Sequence, residues 1–281
     1  MIFFNYNGKL YEQGNPVIAP DNRGLRYGDG LFETIKFTNN KFILLDEHLN
    51  RLWMGMEAMA FTPTKNFTKE YIADQLLKLV LKNKHSSARV RLTVIRANGG
   101  LFDPQHLQPQ LLIQSFNLTS AEQLNQNGLM LCIYRDANKS CDKFSHLKHN
   151  NFLPYLMGAL YAKENKCNDA IILNNYGRVA DCCIANIFIF KDNLLLTPAV
   201  EEGCIAGVMR KYILAQAMQL GYETKETAIT ENMLMSADEV FCSNSIFNIK
   251  WVAAINDVTF TNSITSRLYQ QLSKTKDGVF C

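Results

Sequence analysis

The sequence predicts a two-domain protein of the α+β or α/β class, and three observations support this prediction. The chain has 281 residues, more than one typical domain needs and enough for two domains that each bury a core. Its content of 47% hydrophobic and 20% charged residues is typical of a globular chain. Short apolar runs between turn signals predict strands, and longer segments with helical spacing predict helices.

Residues 1 to about 45 predict two hairpins with a glycine-rich segment between them. The turn signals are Tyr6-Asn7-Gly8 and Asn39-Asn40, each flanked by short apolar runs. The segment from Arg23 to Thr34 has three glycines in seven positions. Such a backbone can approach a ligand or another chain closely, and it also suits a plain tight turn.

Two helices are predicted next. Asp46 is expected to cap the first, which carries His48 and Arg51. The second runs from about Thr68 to Leu81. Its expected buried face consists of Ile72, Leu76, Leu77, Val80 and Leu81.

A strand from Arg89 to Ile95 alternates polar and apolar residues, and its polar face carries Arg89 and Arg91. Two arginines on one face could clamp a carboxylate in an enclosed site, or they could form an ordinary solvated face. The local pattern does not choose between these alternatives. A strand from Gln110 to Phe116 completes the first domain.

The predicted domains cover residues 1–117 and 128–281, with a connecting segment at 118–127. Leu118-Thr119-Ser120 begins a polar stretch that predicts a short connecting helix. In the second domain a helix from about Asn151 to Lys166 follows a strand from Leu129 to Tyr134. The further strands expected are Ala170–Leu173, Cys183–Phe190, Leu194–Thr197, Glu239–Cys242 and Trp251–Ile255. Two more helices are expected, one from the Gly203 to Arg210 segment to about Leu220 and one from Asn262.

Composition excludes several classes of function. The net charge of +3 is too balanced to indicate a nucleic acid or an anionic membrane as partner. No apolar run approaches the roughly 18 residues that span a bilayer, and the opening Met1-Ile2-Phe3-Phe4 has no basic lead, so we expect no signal peptide. The eight cysteines match no zinc spacing, and most lie in apolar runs as free thiols do, which predicts a reducing cytoplasm.

Lys148 stands out because it lies between two histidines and ahead of two asparagines, in Ser145-His146-Leu147-Lys148-His149-Asn150-Asn151. Nearby cations and partial burial would both favour the neutral amine, which is the form that attacks carbonyl groups. From the local sequence alone, however, a solvated loop lysine is the more common case.

Other signals supply partners for this lysine. The segment from Gly203 to Arg210 opens a helix whose free amides would receive a phosphate. Ser243-Asn244-Ser245 offers donors for the same anion, and the carboxylate of Asp181 follows Lys148 by 33 residues. Each signal is weak alone. Together they are the parts of a site for pyridoxal 5'-phosphate, namely a lysine, a carboxylate for the ring nitrogen and a phosphate cradle.

Four blocks of sequence resemble the class IV aminotransferase family of pyridoxal-phosphate enzymes, which have fold type IV. The family includes branched-chain and D-amino-acid aminotransferases and 4-amino-4-deoxychorismate lyase. The blocks are D-x-R-G-x-x-Y-G-D-G-x-F-E-T from Asp21 to Thr34, H-L-x-R-L from His48 to Leu52, the Lys148 block, and C-C-x-A-N-x-F from Cys182 to Phe188. The resemblance implies a small N-terminal α+β domain, a larger C-terminal domain with a mostly antiparallel, barrel-like sheet, and a homodimer.

The resemblance also implies a role for each site residue. Lys148 resembles the Schiff-base lysine, and Asp181 stands where the family usually has a glutamate that faces the pyridine nitrogen. The shorter side chain reduces the reach by about 1.5 Å, so the cofactor or backbone shifts or a water bridges the gap. The remaining matches are Arg51, Val208, Met209, Asn244 and Ser245 for the phosphate, Ile205 under the ring, Tyr27 beside the reacting carbon, and Arg91 for a substrate carboxylate.

The implied chemistry begins with removal of the substrate α-proton by the Lys148 amine, and two reactions can follow. Transamination gives a keto acid, whereas the lyase expels pyruvate from aminodeoxychorismate and leaves 4-aminobenzoate for folate synthesis.

Phe32-Glu33-Thr34 favours a transaminase, which is our prediction. Three segments favour the lyase, namely Cys182 to Asn186, His146 to His149 and Asn244-Ser245. The lyase pattern, however, has a basic residue where this chain has Leu101. A remote third alternative, motivated by Asp181, is a cofactor-binding protein without catalysis.

Overall fold

The computed structural model describes residues 1–119, 123–275 and 278–280. The chain forms two compact units. The first comprises Met1–Ser120 and Leu147–Asn151, and the second comprises Ala121–His146 and Phe152–Cys281. The predicted connecting helix falls partly on residues 120–122, which lie outside the described residues, and the predicted boundary at 118–127 stays a prediction.

The first unit is an antiparallel sheet with helices packed against it. The sheet order is β2-β1-β6-β5-β3-β4. Its elements are β1 (Phe3–Tyr6), β2 (Lys9–Glu12), α1 (Arg23–Tyr27), β3 (Gly30–Thr38), β4 (Lys41–Phe42), α2 (Leu45–Ala58), α3 (Lys69–Lys82), β5 (Ala88–Arg96) and β6 (Pro109–Asn117). The core between sheet and helices includes Ile35, Leu52, Leu76, Val90 and Ile113.

Both hairpins of the first unit are confirmed. Asn7 and Gly8 have φ of 50° and 85°, and Asn39 and Asn40 have φ of 50° and 58°. Two successive left-handed residues make the turn whose twist matches that of the flanking strands, and asparagine and glycine are the residues that adopt it at least cost.

The helix signals of the first unit are partly confirmed. Thr68 caps α3, since its hydroxyl accepts a hydrogen bond from the Tyr71 amide at 3.1 Å. Asp46 does not cap α2, because α2 begins at Leu45, directly before Asp46, and Leu44 is its N-cap. Asp46 lies in the first turn instead, where its charge favours the helix dipole.

The expected buried face of α3 is confirmed for Ile72, Leu76 and Val80 and wrong for Leu77 and Leu81. The buried residues are Ile72, Gln75, Leu76, Leu79 and Val80, which follow the spacing of one helix face. Leu77 and Leu81 lie to the side of this face and are 40% and 62% exposed.

Asp29 links three elements of the first unit through its carboxylate. Its Oδ2 accepts hydrogen bonds from Arg23 Nε at 2.8 Å and from Arg96 Nε at 2.9 Å. Arg96 also donates to the carbonyls of Met59 and Ala60, at the end of α2. One mostly buried carboxylate thereby fixes α1, β5 and the end of α2 to each other.

The second unit is a larger mixed sheet with the order β12-β11-β10-β13-β14-β7-β8-β9, and β15 pairs with β14. Its elements are β7 (Leu129–Lys139), α4 (Leu153–Glu164), β8 (Asp169–Asn174), β9 (Val179–Cys182), β10 (Asn186–Lys191), β11 (Leu194–Pro198), a 3₁₀ turn (Val200–Glu202), α5 (Val208–Gln219), β12 (Glu223–Thr227), α6 (Glu231–Met235), β13 (Glu239–Asn244), β14 (Asn248–Ile255), β15 (Val258–Thr259) and α7 (Ser263–Leu272).

This sheet curls so that its last strand, β9, meets the segment after its first strand, β12. The Val179 amide donates to the Ile229 carbonyl at 2.9 Å, and Arg178 forms an isolated bridge with Thr230. Most neighbouring strands run antiparallel, while β11 with β12, β14 with β7 and β7 with β8 run parallel. The predicted barrel-like, mostly antiparallel sheet is confirmed.

The strand β8 and the Leu131 to Tyr134 part of β7 are buried on both faces. Leu131 and Ile171 point into a core with residues of β10, β13 and β14. Cys132 and Ile172, one position further along, pack with Tyr155 of α4. Because successive side chains alternate between the faces of a strand, a doubly buried strand reads as a continuous apolar run, as both segments do.

The predicted strand from Cys183 to Phe190 is wrong at its start. The partner of β8 after the Asn174 to Gly177 turn is β9, and residues 183–185 then turn the chain into β10. Asp181 therefore lies near the end of β9, and β10 pairs with β11 and β13 instead. Alternation could not show this break, because β9 and all of β10 except Lys191 are buried.

The seven cysteines within residues 1–119, 123–275 and 278–280 are free thiols. In that part of the chain no helix combines the length and apolarity needed to cross a membrane.

We expect Asp29→Ala to lower the free energy of unfolding by about 3 kcal/mol, because it leaves two mostly buried guanidinium groups without their shared carboxylate. Urea unfolding at pH 7 measures the change. Asp74→Ala is the matched control, since the Asp74–Lys78 pair is more than half exposed and such pairs contribute at most about 1 kcal/mol. Equal losses for the two variants would contradict the prediction.

Candidate active site

The segment that carries Lys148 pairs with the start of β3 like an added strand. The Phe32 amide donates to the Lys148 carbonyl at 2.9 Å, and the Asn150 amide donates to the Gly30 carbonyl at 2.9 Å. Leu31 and His149 form an antiparallel bridge. Lys148 is thus held by main-chain hydrogen bonds and is half-buried, rather than standing on a solvated loop.

Two glycines permit this close approach. A Cβ at Gly28 would clash with the Asn151 side chain, and one at Gly30 would clash with the Val94 carbonyl and the Asn150 side chain. Gly28 also has a φ of 66° at the end of α1, a left-handed conformation that glycine adopts at no steric cost. The glycine-rich segment therefore accommodates the lysine segment of the same chain.

Lys148 and Arg91 both contact the ring of Phe32. Lys148 Nζ lies 4.5 Å from the ring centroid, and the guanidinium carbon of Arg91 lies 4.0 Å from it. Burial, and then the Arg89 charge, lower the pKa of Arg91. Arg89 is exposed and lies over Phe116 instead. Of the two arginines, the structure therefore brings only Arg91 to the ring that Lys148 contacts.

Arg51 is held by the buried carboxylate of Glu33. Arg51 Nε donates to Glu33 Oε1 at 2.8 Å and Nη2 donates to Oε2 at 2.5 Å, a bidentate geometry that fixes the plane of the guanidinium. Burial alone would raise the pKa of Glu33, but the Arg51 charge and the His48 hydrogen bond lower it to about 2. Glu33 is therefore ionised at neutral pH.

His48 completes this cluster from α2. Its Nδ1 donates to the ionised Glu33 Oε2 at 2.6 Å, and its buried Nε2 has no hydrogen-bond partner among the described residues. Burial lowers the pKa of His48 and outweighs the opposite effect of Glu33, so the ring is neutral at pH 7. The motifs F-E-T and H-L-x-R-L both pointed to this region, but not to the contact between Glu33, His48 and Arg51.

Tyr27 ends α1, next to Gly28. The guanidinium carbons of Arg23 and Arg26 lie 5.4 and 5.0 Å from its ring centroid. These contacts orient the half-buried ring.

In the second unit, Asp181 is 2% exposed and is surrounded by donors. Its Oδ1 accepts from Asn186 Nδ2 at 2.9 Å. Its Oδ2 accepts from the Tyr155 hydroxyl at 2.7 Å and from the Ile205 amide at 2.8 Å, and Lys139 Nζ lies 3.6 Å from Oδ2. Burial raises the pKa of Asp181, while the Lys139 charge and the hydrogen bonds act in the opposite direction.

The start of α5 fits an anion such as a phosphate. Gly207 is the N-cap and no side chain caps the helix, so the first-turn amides of Val208 and Met209 are available donors. A Cβ at Gly207 would clash with Asn186 Oδ1. Ser243 Oγ is also buried without a hydrogen-bond partner in the described part of the chain.

The side chain of Asn244 is already used within the fold. Its Nδ2 donates to the Ile184 carbonyl, and its Oδ1 accepts from the amides of Ile246 and Phe247. Its main chain and the second hydrogen of Nδ2 remain for a ligand. Ser245 follows directly at the end of β13.

The predicted site residues thus fall into groups within each unit. Lys148, Arg91, Arg51 and Tyr27 belong to the first unit, and Asp181, Ile205, Val208, Met209, Asn244 and Ser245 belong to the second. Sequence patterns did not indicate Lys139 and Tyr155, because a lysine inside a strand and a tyrosine on a helix carry no motif.

The profile of a family described as amino-transferase class IV matches residues 30–255. A D-alanine aminotransferase of Listeria monocytogenes is 29% identical over 277 residues, which is 94% of this chain and 92% of that relative. An aminodeoxychorismate lyase of Bacillus subtilis is 29% identical over 263 residues, which is 90% of this chain and 87% of that relative.

Among solved structures, a branched-chain amino acid aminotransferase from T.th., with pyridoxamine 5'-phosphate, has a TM-score of 0.85 to this chain. It is 20% identical, and the superposition covers 97% of this chain and 93% of that one. This likeness confirms the predicted fold.

The Glu33 pKa predicts a pH-dependent contribution to stability. Because it lies below its ordinary value of 4.5, the contribution is fully present above about pH 4.5 and is lost as the pH falls through 2. Glu33→Gln should therefore destabilise the protein at pH 7, and the gap to the native protein should be about 1 kcal/mol smaller at pH 4. Urea unfolding at both pH values measures it.

The control for this experiment is Glu57→Gln, which changes an exposed carboxylate of α2. It should show no pH-dependent gap. A Glu33→Gln gap of equal size at pH 7 and pH 4 would contradict the low pKa.

Proposed function

This chain belongs to the class IV aminotransferase family, and we propose that it transfers an amino group between an amino acid and a 2-keto acid. The two 29% identical relatives are an aminotransferase and an aminodeoxychorismate lyase, so the chain is an enzyme of this type. The observation that carries the proposal is the half-buried Lys148, which main-chain pairing with β3 holds beside the ring that Arg91 also contacts.

The cofactor of the proposed reaction is pyridoxal 5'-phosphate. The donor set of the chain fits it, with an amine on Lys148, a buried carboxylate on Asp181 and uncapped amides at Val208 and Met209. The T.th. enzyme, which shares the fold, was solved with pyridoxamine 5'-phosphate. When bound, the cofactor supplies an electron-accepting ring that stabilises negative charge on the substrate α-carbon.

Lys148 has two roles in the proposal. Its amine would hold the cofactor, and as a free amine it would remove the substrate α-proton and later return a proton. A general base must be held within hydrogen-bond reach of the proton it moves. The hydrogen bonds that fix the Lys148 carbonyl and the neighbouring Asn150 amide to β3 limit the positions that the side chain can reach.

The phosphate and the ring are assigned to the remaining predicted residues. We assign the amides of Val208 and Met209, the main chain of Asn244, and Ser245 to the phosphate, together with Arg51, whose Nε and Nη2 edge is held by Glu33. Ile205 is assigned to the face of the ring, and Asp181 to its nitrogen. Tyr27 is assigned to a position beside the reacting carbon.

Arg91 is proposed to bind a carboxylate of the substrate. It is half-buried and close to the ring that Lys148 contacts, whereas Arg89 on the same strand is exposed. A guanidinium that is partly removed from water binds a carboxylate through strong, charge-assisted hydrogen bonds. The preferred substrates are therefore amino acids and keto acids with a carboxylate near the reacting carbon.

Aminodeoxychorismate lyase activity is the second candidate. The Bacillus subtilis relative supports it, as does the Cys182 to Asn186 block. Removal of the α-proton by Lys148 is common to both reactions, so the residues of the first step are the same. A homodimer and a cytoplasmic location stay predictions from the sequence.

Product analysis of the purified enzyme tests the proposal. We expect keto acid from amino acids plus 2-oxoglutarate, and no 4-aminobenzoate from aminodeoxychorismate. Lys148→Ala should abolish turnover and the visible absorbance of the bound cofactor, because the attaching amine is lost. Lys143→Ala removes an exposed lysine five residues earlier and should change neither.

Two results would contradict this proposal. Formation of 4-aminobenzoate without keto acid would establish the lyase in place of the transaminase. Retained multiple turnover in Lys148→Ala would exclude Lys148 as the reacting amine.

Arg91→Ala should raise KM for carboxylate substrates by roughly 10- to 100-fold, the loss expected for a hydrogen-bonded charge pair. Arg89→Ala is the matched control, because it removes the exposed arginine of the same strand and should leave KM within about twofold. Steady-state kinetics of both variants make the comparison. Unchanged kinetics in Arg91→Ala would remove this residue from the substrate site.

A further inference from the structure

Lys139 lies at the end of β7 in the interior of the second unit, where its side chain is 7% exposed. Its Nζ has no hydrogen-bond partner within the described ranges, and it lies 3.6 Å from Asp181 Oδ2 and 5.0 Å from the ring centroid of Tyr155. A buried ammonium is costly unless an opposite charge is near. The carboxylate of Asp181 supplies this opposite charge.

Hydrogen bonds to Asp181 indicate that the carboxylate is ionised. The Ile205 amide can only donate. The Asn186 amide is also fixed as a donor, because the same Nδ2 donates to the Ile205 carbonyl at 2.8 Å. Burial, and then the Asp181 charge, raise the pKa of Tyr155 well above its ordinary value, so its hydroxyl keeps its proton. Three donors around one carboxyl group favour its ionised form.

The other titratable groups that face Lys139 do not compete with Asp181 for its charge. Burial, followed by the charge of Asp181, raises the pKa of Cys204 to about 12. Burial also raises the pKa of Cys141. Both thiols are neutral at pH 7, so Asp181 is the anion that Lys139 faces. Burial lowers the pKa of Lys139, and the Asp181 charge acts in the opposite direction.

Oδ2 and Oδ1 of Asp181 differ in their remaining capacity. A carboxylate oxygen has about two acceptor sites. Oδ2 already accepts hydrogen bonds from the Tyr155 hydroxyl and the Ile205 amide, and Lys139 Nζ lies beside it. Among the described residues, Oδ1 accepts a hydrogen bond from the Asn186 amide alone, so one acceptor site is left on it.

We propose that Lys139 and Tyr155 are positioning residues for Asp181, in which Lys139 keeps the buried carboxylate ionised and Tyr155 occupies Oδ2, so that Oδ1 is left to accept a hydrogen bond from the ring nitrogen of the cofactor. This inference rests on the proposed function for its last step alone. It assigns to two further side chains the task of holding a carboxylate that is one methylene shorter than the usual glutamate.

The charge pair is tested on the whole 281-residue chain without cofactor. Lys139→Met should lower Tm at pH 7 by roughly 6 °C or more, because it leaves a buried carboxylate without its counter-charge. The double variant Lys139→Met with Asp181→Asn removes both charges and should recover at least half of that loss. Lys143→Met, which changes an exposed lysine, is the control and should shift Tm by less than about 2 °C. If the Tm loss of the double variant equals the sum of the two single losses, the pairing is refuted. If Lys139→Met does not fold, recovery of folding in the double variant still tests the pairing.

The positioning role is tested on the enzyme loaded with pyridoxal 5'-phosphate. In Lys139→Met and in Tyr155→Phe, the pH midpoint of the absorption change of the bound cofactor should move by about one unit. At the same time kcat should fall roughly tenfold, with KM nearly constant. A merely structural contact would lower Tm without moving the spectral midpoint, and that result would overturn the proposal.

These outcomes are separable from those of the proposed function. If Lys148→Ala retained turnover, the assignment of the reacting amine would fail while the Tm coupling of Lys139 and Asp181 stood. If that coupling were absent, the positioning proposal would fail while the transaminase assay stood.

Discussion

The pairing of the Lys148 segment with β3 is the constraint on which the candidate active site depends. Three consecutive residues of β3, Gly30 to Phe32, are matched by three consecutive residues of the segment, Lys148 to Asn150. A shift of one residue would turn each side chain to the opposite face. The small size of Gly28 and Gly30 allows the match, and Leu147, which is 4% exposed, anchors one end in the core. Main-chain geometry and packing thus determine where the amine of Lys148 lies.

Each unit also contains a buried carboxylate beside a cation, Glu33 in the first unit and Asp181 in the second. A buried carboxylate is unstable unless hydrogen-bond donors and a cation surround it. Glu33 has a bidentate arginine at 2.5 and 2.8 Å, and its pKa falls to about 2. Asp181 has a lysine at the longer distance of 3.6 Å, and its pKa is raised because burial prevails. The Glu33 carboxylate is therefore ionised and bound to Arg51. In contrast, burial raises the pKa of the Asp181 carboxylate.

Local signals in the sequence predicted the features that depend on local physics. Asn7-Gly8 and Asn39-Asn40 indicated the hairpins because left-handed residues determine that turn, and Thr68 indicated the cap of α3. The Gly203 to Arg210 segment indicated the helix start that fits a phosphate, and the motifs indicated the family. The break between β9 and β10 was not visible, because both strands are buried on both faces. Lys139 and Tyr155 were also missed, because their contact with Asp181 depends on how β7, α4 and β9 come together in three dimensions.

The chain leaves the second unit at Leu147 and returns to it at Phe152. Five residues therefore complete a sheet whose other strands end about thirty residues earlier in the sequence. A fragment that ended at the apparent domain boundary would lack the segment that covers the edge of β3 at Gly30 to Phe32, and it would expose the apolar surface that Leu147 covers. Unpaired strand edges promote association between chains. The first unit is therefore not one continuous segment of the chain, and a change in the length of residues 147–151 would disturb the pairing with β3 more than a change in a surface loop would.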